Sequence, residues 1–331
     1  MARALVTGAT GFIGTHVVRA LAARGTEVVA LARPSSDRRA IEALGARVVI
    51  GDLGDRSSLR AAVADADCVI HLASLLKVPW KPEFRSLNIG GTAALAEACA
   101  ARETPPALVV VSSLAAGGPS PADAPRTEDV EAAPVSQYGR MKLDSERAAV
   151  ALAARLPITV VRPPMVLGDG DRWALGLFRS AARGVHVTPT WREHRVSLIH
   201  AADLAPLLVA AAERGERVAP GVGRGVYYAA AEDRPTYAEL GRWIAEAMGL
   251  PPPRVVRVPA AISAIAAAGS HLWARLRDRP TILNLDKWRE ARAGSWICDA
   301  AKARRELGLT CAPTRTRLAE TAEAYRAAGW I

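Results

Sequence analysis

The 331-residue sequence predicts a doubly wound parallel α/β sheet carrying a smaller C-terminal lobe. Three observations lead there. Short apolar runs alternate with helix-length segments at the spacing of βαβ units. Those runs are apolar at successive positions, as strands covered on both faces must be. The first of them feeds a glycine-rich turn that opens a helix.

In chain order, ALVTG (4–8) is the first strand, and the helix from Phe12 to Arg24 stops at Gly25, a residue suited to the left-handed turn that ends helices. EVVALAR (27–33), RVVIGD (47–52) and CVIHLA (68–73) supply the second to fourth strands. ALVVVSS (107–113) and ITVVRP (158–163) continue the series, with helices near 86–101 and 136–155 between them. Beyond Pro163 the pattern loosens into loops rich in Gly, Pro and Trp. Helices are expected near 203–213, 236–248 and 260–276, and a strand at VYYAA (226–230). Residues 1–165, with later contributions near 197–230, are expected to form a dinucleotide-binding domain, and 166–331 mainly a substrate-binding lobe.

Half of the residues are apolar, enough for a sizeable core. Cys68, Cys99, Cys298 and Cys311 show neither paired nor metal-ligand spacing, so they are expected to be packing residues, with no metal site. The net charge of +10 comes from basic residues spread along the whole chain, only five of them lysine, without aromatic interleaving. That distribution argues for solvated faces and an anionic cofactor rather than for nucleic acid. No signal-peptide pattern and no 18-residue apolar run is present, and a cytoplasmic protein without a transmembrane segment is expected. The apolar segment 260–277 raises a membrane-surface helix, but its basic residues stand at one end only, and core or pocket lining is the expectation.

TGATGFIG places Gly8, Gly11 and Gly14 three apart, directly between a strand and a helix. Small residues there let the backbone approach a pyrophosphate, whose charge meets free N–H groups and the positive end of the helix dipole. Thr10, Phe12 and Ile13 belong to the same turn. In the usual arrangement a carboxylate ends the second strand and binds the ribose 2′-hydroxyl. Here Arg33 follows the strand, with Ser36, Arg38 and Arg39 beyond it. A guanidinium holds a 2′-phosphate by charge-assisted hydrogen bonds worth about 1.5–3 kcal/mol, roughly 10- to 100-fold in affinity. NADP(H) is therefore expected over NAD(H), with Asp52, beside Leu53, as the adenine-side contact.

SQYGRMK sets Tyr138 and Lys142 one helical turn apart, and Ser113 closes the strand expected beside them. A phenol is a poor base at neutral pH, and an ammonium one turn away is expected to lower its pKa toward the working range. Tyr138 would then exchange a proton with a substrate oxygen hydrogen-bonded to Ser113, while a nicotinamide exchanges hydride with the adjoining carbon, its ribose held by Lys142.

Together these motifs resemble those of the extended short-chain dehydrogenases/reductases, the NAD-dependent epimerase/dehydratase superfamily, along essentially the whole chain. HLAS (71–74) is similar to that group's fourth-strand motif, NIGGT (88–92) to its N-x-x-G-T helix and YGRMK to its Y-x-x-x-K. VRPPMVLGDGD (161–171) resembles its nicotinamide-side loop, and SLIHAADLA (197–205) its V-H-V-x-D-x-A segment. The resemblance implies a Rossmann-type fold in which Leu72, Ala73 and Ser74 touch the cofactor and Asn88 supports the active-site helix. Pro163 to Val166 would pack beside the nicotinamide, and a homodimer is implied as well. Within the group, the arginine after the second strand and the tail KWREARAGSWICDAAKARRELGL (287–309) are similar to the 3β-hydroxysteroid dehydrogenase and dihydroflavonol reductase branch.

The expected substrate wall lies in loops 74–86, 114–136 and 164–196, with Leu75, Leu76, Val78, Trp80, Phe84, Met165, Trp173 and Trp191. Such a lining suits a sterol, a β-keto acid or a flavonoid-like ring. Two rival readings use the same motifs. One is a nucleotide-sugar epimerase or dehydratase with tightly held NAD(P), supported by Arg195 before SLIH. The other is a non-catalytic dinucleotide-binding protein, from which loss of the tyrosine or lysine would be expected.

Overall fold

The computed structural model describes residues 1–74, 82–188, 193–277 and 285–331. Its centre is a seven-stranded, wholly parallel sheet. Strands β1 (Arg3–Thr7), β2 (Glu27–Ala32), β3 (Arg47–Ile50), β4 (Cys68–His71), β5 (Ala107–Val111) and β6 (Ile158–Arg162) are the six expected in the first half. β7 (Met165–Leu167), β8 (Val185–Thr188) and β9 (Leu198–His200) follow, then β10 (Val226–Tyr228) and β11 (Arg254–Arg257). The sheet order is β10-β6-β5-β4-β1-β2-β3, so VYYAA is an edge strand of the main sheet. The order reverses between β1 and β4, and the crevice at that switch point is where open sheets of this type take ligands.

On the two faces lie α1 (Phe12–Ala22), α2 (Arg39–Glu42), α3 (Arg56–Val63), α4 (Pro82–Ala100), α5 (Leu114–Gly117) and α6 (Gln137–Val150). α7 (Leu175–Ala182) comes before α8 (Ala201–Arg214), which returns to pack on α1. The alternation of β1 divides Ala4 and Val6 from Leu5. The first pair enters a core with Val17, Val18, Leu21 and Leu208, and Leu5 enters a second core with Leu59, Leu95 and Leu108. Both cores exclude water, which is why the middle of β1, Ala4 to Val6, is apolar on both faces.

A third apolar cluster stands off the main sheet. It joins α7 to α9 (Tyr237–Ala247) and α13 (Thr314–Ala327) through Phe178, Ile244, Leu318 and Tyr325. Two small parallel pairs, β7 with β9 and β8 with β11, brace this region. α10 (Ala260–Leu276), α11 (Leu285–Arg292) and α12 (Ala301–Leu307) complete the described helices. Cys68, Cys99 and Cys298 are buried and unpaired, and Cys311 is half-buried.

The expectation for segment 260–277 is overturned. α10 is helical, but Ile262, Ile265, Leu272 and Trp273 lie on the surface. Among its described side chains the buried ones are the small Ser263 and Ala267, which apolarity alone does not foretell.

Candidate active site

The glycine turn follows β1 at the carboxyl edge of the sheet. Gly8 has φ +74°, and a Cβ there would lie 2.7 Å from the Ala73 nitrogen, so the turn is pressed against the end of β4. A Cβ on Gly14 would stand 2.1 Å from the Gly8 carbonyl, and only hydrogen fits where α1 meets the turn. Gly11 is the N-cap, and no side chain caps α1. With no acidic residue in the first turn, its amides and dipole face a half-buried crevice beside Thr10, Phe12 and Ile13. These residues fit a dinucleotide pyrophosphate. His16, edge-on to Phe12, pairs with Asp169 at 2.8 Å and joins α1 to the 168–171 loop.

Arg33 is exposed just past β2, and among the described residues its guanidinium has no ion-pair partner. Its neighbours are engaged: Arg39 binds Asp37, whose carboxyl it holds down to about 2, and Arg38 stands 3.9 Å from Glu42. Ser36 is half-buried. Asp52 follows β3, exposed, and accepts from the Gly54 amide. Leu53 packs where a Cβ on Gly91 would come within 2.8 Å of it.

The end of β4 is tied inward through His71. Its Nδ1 hydrogen-bonds Thr7 Oγ1 at 2.7 Å and its Nε2 hydrogen-bonds Thr92 Oγ1 at 2.9 Å. Burial first, and the charge of Lys142 second, push the imidazole down to about 3, so it is neutral at ordinary pH. Thr7 also accepts from the Ala73 amide, which aligns Leu72, Ala73 and Ser74 along the crevice. Ser74 donates to Asn88 Oδ1, and Asn88 Nδ2 donates to the Phe84 carbonyl. Asn88 thus braces the strand end from α4.

Ser113 follows β5, caps α5 by accepting from the Ala115 amide, and lies next to Pro163, whose carbonyl accepts from Leu114. The parallel register Val111–Val161 holds the two strand ends level. α6 begins at Ser136, which caps the Gly139 amide, and presents Tyr138, Lys142 and Glu146 at successive turns. Lys142 Nζ donates to the Val111 carbonyl, and it shares a small cavity with Ala73, Ser74, Asn88 and Ser112. Burial lowers Lys142 to about 8, against the opposing charge of Glu146. Glu146 is locked to Arg162 of β6 by paired hydrogen bonds of 2.9 and 2.6 Å, both side chains buried.

The electrostatics of Tyr138 differ from expectation. Burial raises its pKa, and the groups pulling it back are Lys287 and a hydrogen bond with Ser113. Lys287 Nζ lies 5.2 Å from the Tyr138 ring centroid and 2.7 Å from Glu290. The nearby cation is therefore on α11, because Lys142 turns toward the sheet edge. The preceding residue, Asp286, is buried and accepts from the Gln137 and Tyr138 amides at 2.7 and 3.1 Å. With Ser136 it satisfies three of the four amides left open at the start of α6.

Sequence spacing singled out neither Asp286 nor Lys287, although the tail motif begins at Lys287. Of the expected substrate wall, Met165 is half-buried on β7, next to Val166 of the expected nicotinamide side, and Trp173 is exposed just before α7. Phe84 is core. Leu75, Leu76, Val78, Trp80 and Trp191 lie outside the described residues.

Residues 4–223 match the family described as "NAD dependent epimerase/dehydratase family". A protein named ceramide reductase, from Caulobacter vibrioides, is 33% identical over 98% of this chain and 95% of its own length. Sterol demethylase protein B of Methylococcus capsulatus is 30% identical over 99% of both chains. Among solved structures, MoeE5 in complex with UDP-glucuronic acid and NAD superimposes with TM-score 0.73 at 26% identity, covering 99% of this chain and 100% of its own.

Proposed function

The chain belongs to the NAD dependent epimerase/dehydratase family, and from that premise we propose an NADP(H)-dependent oxidoreductase interconverting a hydroxyl and a ketone on an apolar, lipid-like substrate. The observation that carries the reading is the convergence of Ser113, Tyr138 and Lys142 on the sheet edge that holds the glycine turn. The reading also takes residues 1–165 as the part that holds the dinucleotide.

When bound, the nicotinamide supplies or accepts hydride. The chain's own residues handle the proton. Tyr138 donates its phenolic proton to the carbonyl oxygen in the reducing direction and accepts it in the other. Ser113 hydrogen-bonds that oxygen and fixes its place. Lys142, charged below its pKa of about 8, brings positive charge to the crevice and a donor for ribose hydroxyls. Asn88 and Ser74 keep the crevice wall in register.

Arg33 supports the preference for NADP(H): an exposed guanidinium without an ion-pair partner among the described residues follows β2, where a carboxylate would favour NAD(H). Two relatives covering nearly the whole chain, one named for ceramide and one for sterol, support an apolar substrate. The rival epimerase reading draws on the likeness to MoeE5. Arg195, exposed, gives one N–H to the Arg234 carbonyl and keeps further donors for a ligand, so it does not decide between the readings. Net oxidation of NADPH separates the two. Purified protein incubated with NADPH and a panel of long-chain 3-keto lipids, 3-ketosteroids and UDP-sugars should consume cofactor with a keto lipid or ketosteroid. Interconversion of UDP-sugars without net consumption would replace this reading with the epimerase one.

A further inference from the structure

α10 is built inside out. Toward the protein it turns Ser263 and Ala267, and Ser263 Oγ accepts from Trp288 Nε1 of α11 at 3.1 Å. Toward solvent it turns its bulky residues: Ile262 is 59% exposed, Ile265 73%, Leu272 59% and Trp273 50%. At one residue per 100°, these four lie within about 100° of arc, and the exposed Ala261, Ala266, Ala268 and Gly269 extend the apolar stripe to about 160°. An ordinary surface helix has the opposite polarity, with its bulky side chains on the core.

The charge around the stripe is net positive: the acidic residues near it are Asp278, next to Arg277 in sequence, buried Asp286, and half-buried Glu290, which pairs with Lys287. No acidic residue occurs from 260 to 277, exposed Arg277 closes the helix, and α11 exposes Arg289 and Arg292 beside it. The 17-residue helix is about 25 Å long, and among the described residues no helix is long and apolar enough to cross a membrane. Its length and sidedness suit a helix lying in the plane of an interface. α11, on which it packs, holds the start of the Tyr138 helix through Asp286. The stripe is thus one helix layer from the candidate site.

We propose that α10 seats the protein on an anionic lipid bilayer, its axis parallel to the surface. Ile262, Ile265, Leu272 and Trp273 enter the acyl region, and Arg277, Arg289 and Arg292 meet lipid phosphates. A second copy of the chain is the weaker occupant. One face of such a helix offers roughly 250 Å² (about 25 by 10 Å), well short of the roughly 800 Å² per partner in stable interfaces. A bilayer sets no such minimum and matches the charge. The inference rests on the apolar-substrate reading, because a lipid reaches the site from the bilayer without passing through water.

The test is co-sedimentation of the full chain with vesicles of equal phosphatidylglycerol and phosphatidylcholine, and with pure phosphatidylcholine. Binding to the anionic vesicles should exceed binding to the neutral ones and fall as salt rises. The exposed-site variant Ile265→Asp/Leu272→Asp should bind at least tenfold less while titrating NADPH as the parent does. Failure of the parent to bind either vesicle, or undiminished binding by the variant, overturns the proposal. So does a parent dimer that the variant turns into a monomer when neither binds vesicles. NADPH titration and turnover of a dispersed ketone in the same samples keep the outcomes apart. Normal turnover without vesicle binding sinks the docking surface alone, and vesicle binding without turnover of any ketone sinks the reductase reading alone.

Discussion

Replacing Lys287 with methionine should move the ionisation of Tyr138 upward by about one pH unit. The ammonium stands 5.2 Å from the ring centroid. Unit charges at that distance interact by about 3 kcal/mol at an effective dielectric of 20 and by about 0.8 kcal/mol in water. The Lys287 side chain is 44% exposed, so solvent screening sets the working value nearer the water limit, about 1–1.5 kcal/mol, which is about one unit. The sign is fixed by chemistry: a cation stabilises the phenolate, and its loss raises the pKa. Glu290 adds to the shift, because removing its partner leaves an anion that itself opposes ionisation of Tyr138. The assay is the pH dependence of kcat/KM in the alcohol-oxidising direction, where the deprotonated phenol is the active form and the rate rises through its pKa. The rising limb should move about one unit higher in Lys287→Met, less in Lys287→Met/Glu290→Gln, and return in Lys287→Arg. A uniform loss of rate with an unmoved limb would refute the electrostatic role and leave Lys287 as a packing residue.

Tyr138→Phe should leave NADPH binding within about twofold and cut turnover at least a hundredfold, in keeping with general-acid contributions of roughly 10²–10⁴; stopped-flow turnover and a fluorescence titration check both halves. Arg33→Ala should narrow the NADPH/NADH affinity ratio by roughly 10- to 100-fold, and an equal ratio by calorimetry would remove Arg33 from cofactor choice. Asp286→Ala should cost about 1–3 kcal/mol, because two amides at the start of α6 lose their acceptor. Thermal unfolding would register that loss, and an unchanged transition would mean that water replaces the carboxylate without cost.

Much of the fold is legible because local chemistry dictates it. All seven strands of the main sheet coincide with runs that are apolar at successive positions, and the burial of β1 on both faces shows why. The glycine turn is equally readable, since steric contacts of 2.1 and 2.7 Å admit no side chain at Gly14 or Gly8. The short helices α2 and α5 escape, each a single turn without a periodic face of its own. Spacing on one helix likewise reveals Tyr138 and Lys142, and the next residue of that series, Glu146, is the one locked to Arg162.

What spacing cannot reveal is a partner brought in from elsewhere. Asp286 lies 148 positions from Tyr138 along the chain, and nothing in either local pattern links them. The result changes the logic of the site. Tyr138 and Lys142 share a helix face, yet Lys142 is drawn to the Val111 carbonyl and its charge is felt at His71, while Lys287 answers for the phenol. α10 fails to be read for a related reason. Its two faces are separable in sequence, with Ser263, Ser270 and His271 on one side and Ile262, Ile265, Leu272 and Trp273 on the other. Amphipathicity identifies the stripe but not the medium it faces, and only packing against α11 assigns the polar side inward. Both features meet at α11, which carries the carboxylate that caps the Tyr138 helix and the ring that receives α10. If α10 seats on lipid as proposed, the coupling runs through Asp286 to the Tyr138 amide, and anionic vesicles should shift the pH profile of the parent more than that of Asp286→Ala; equal shifts in the two would refute the coupling.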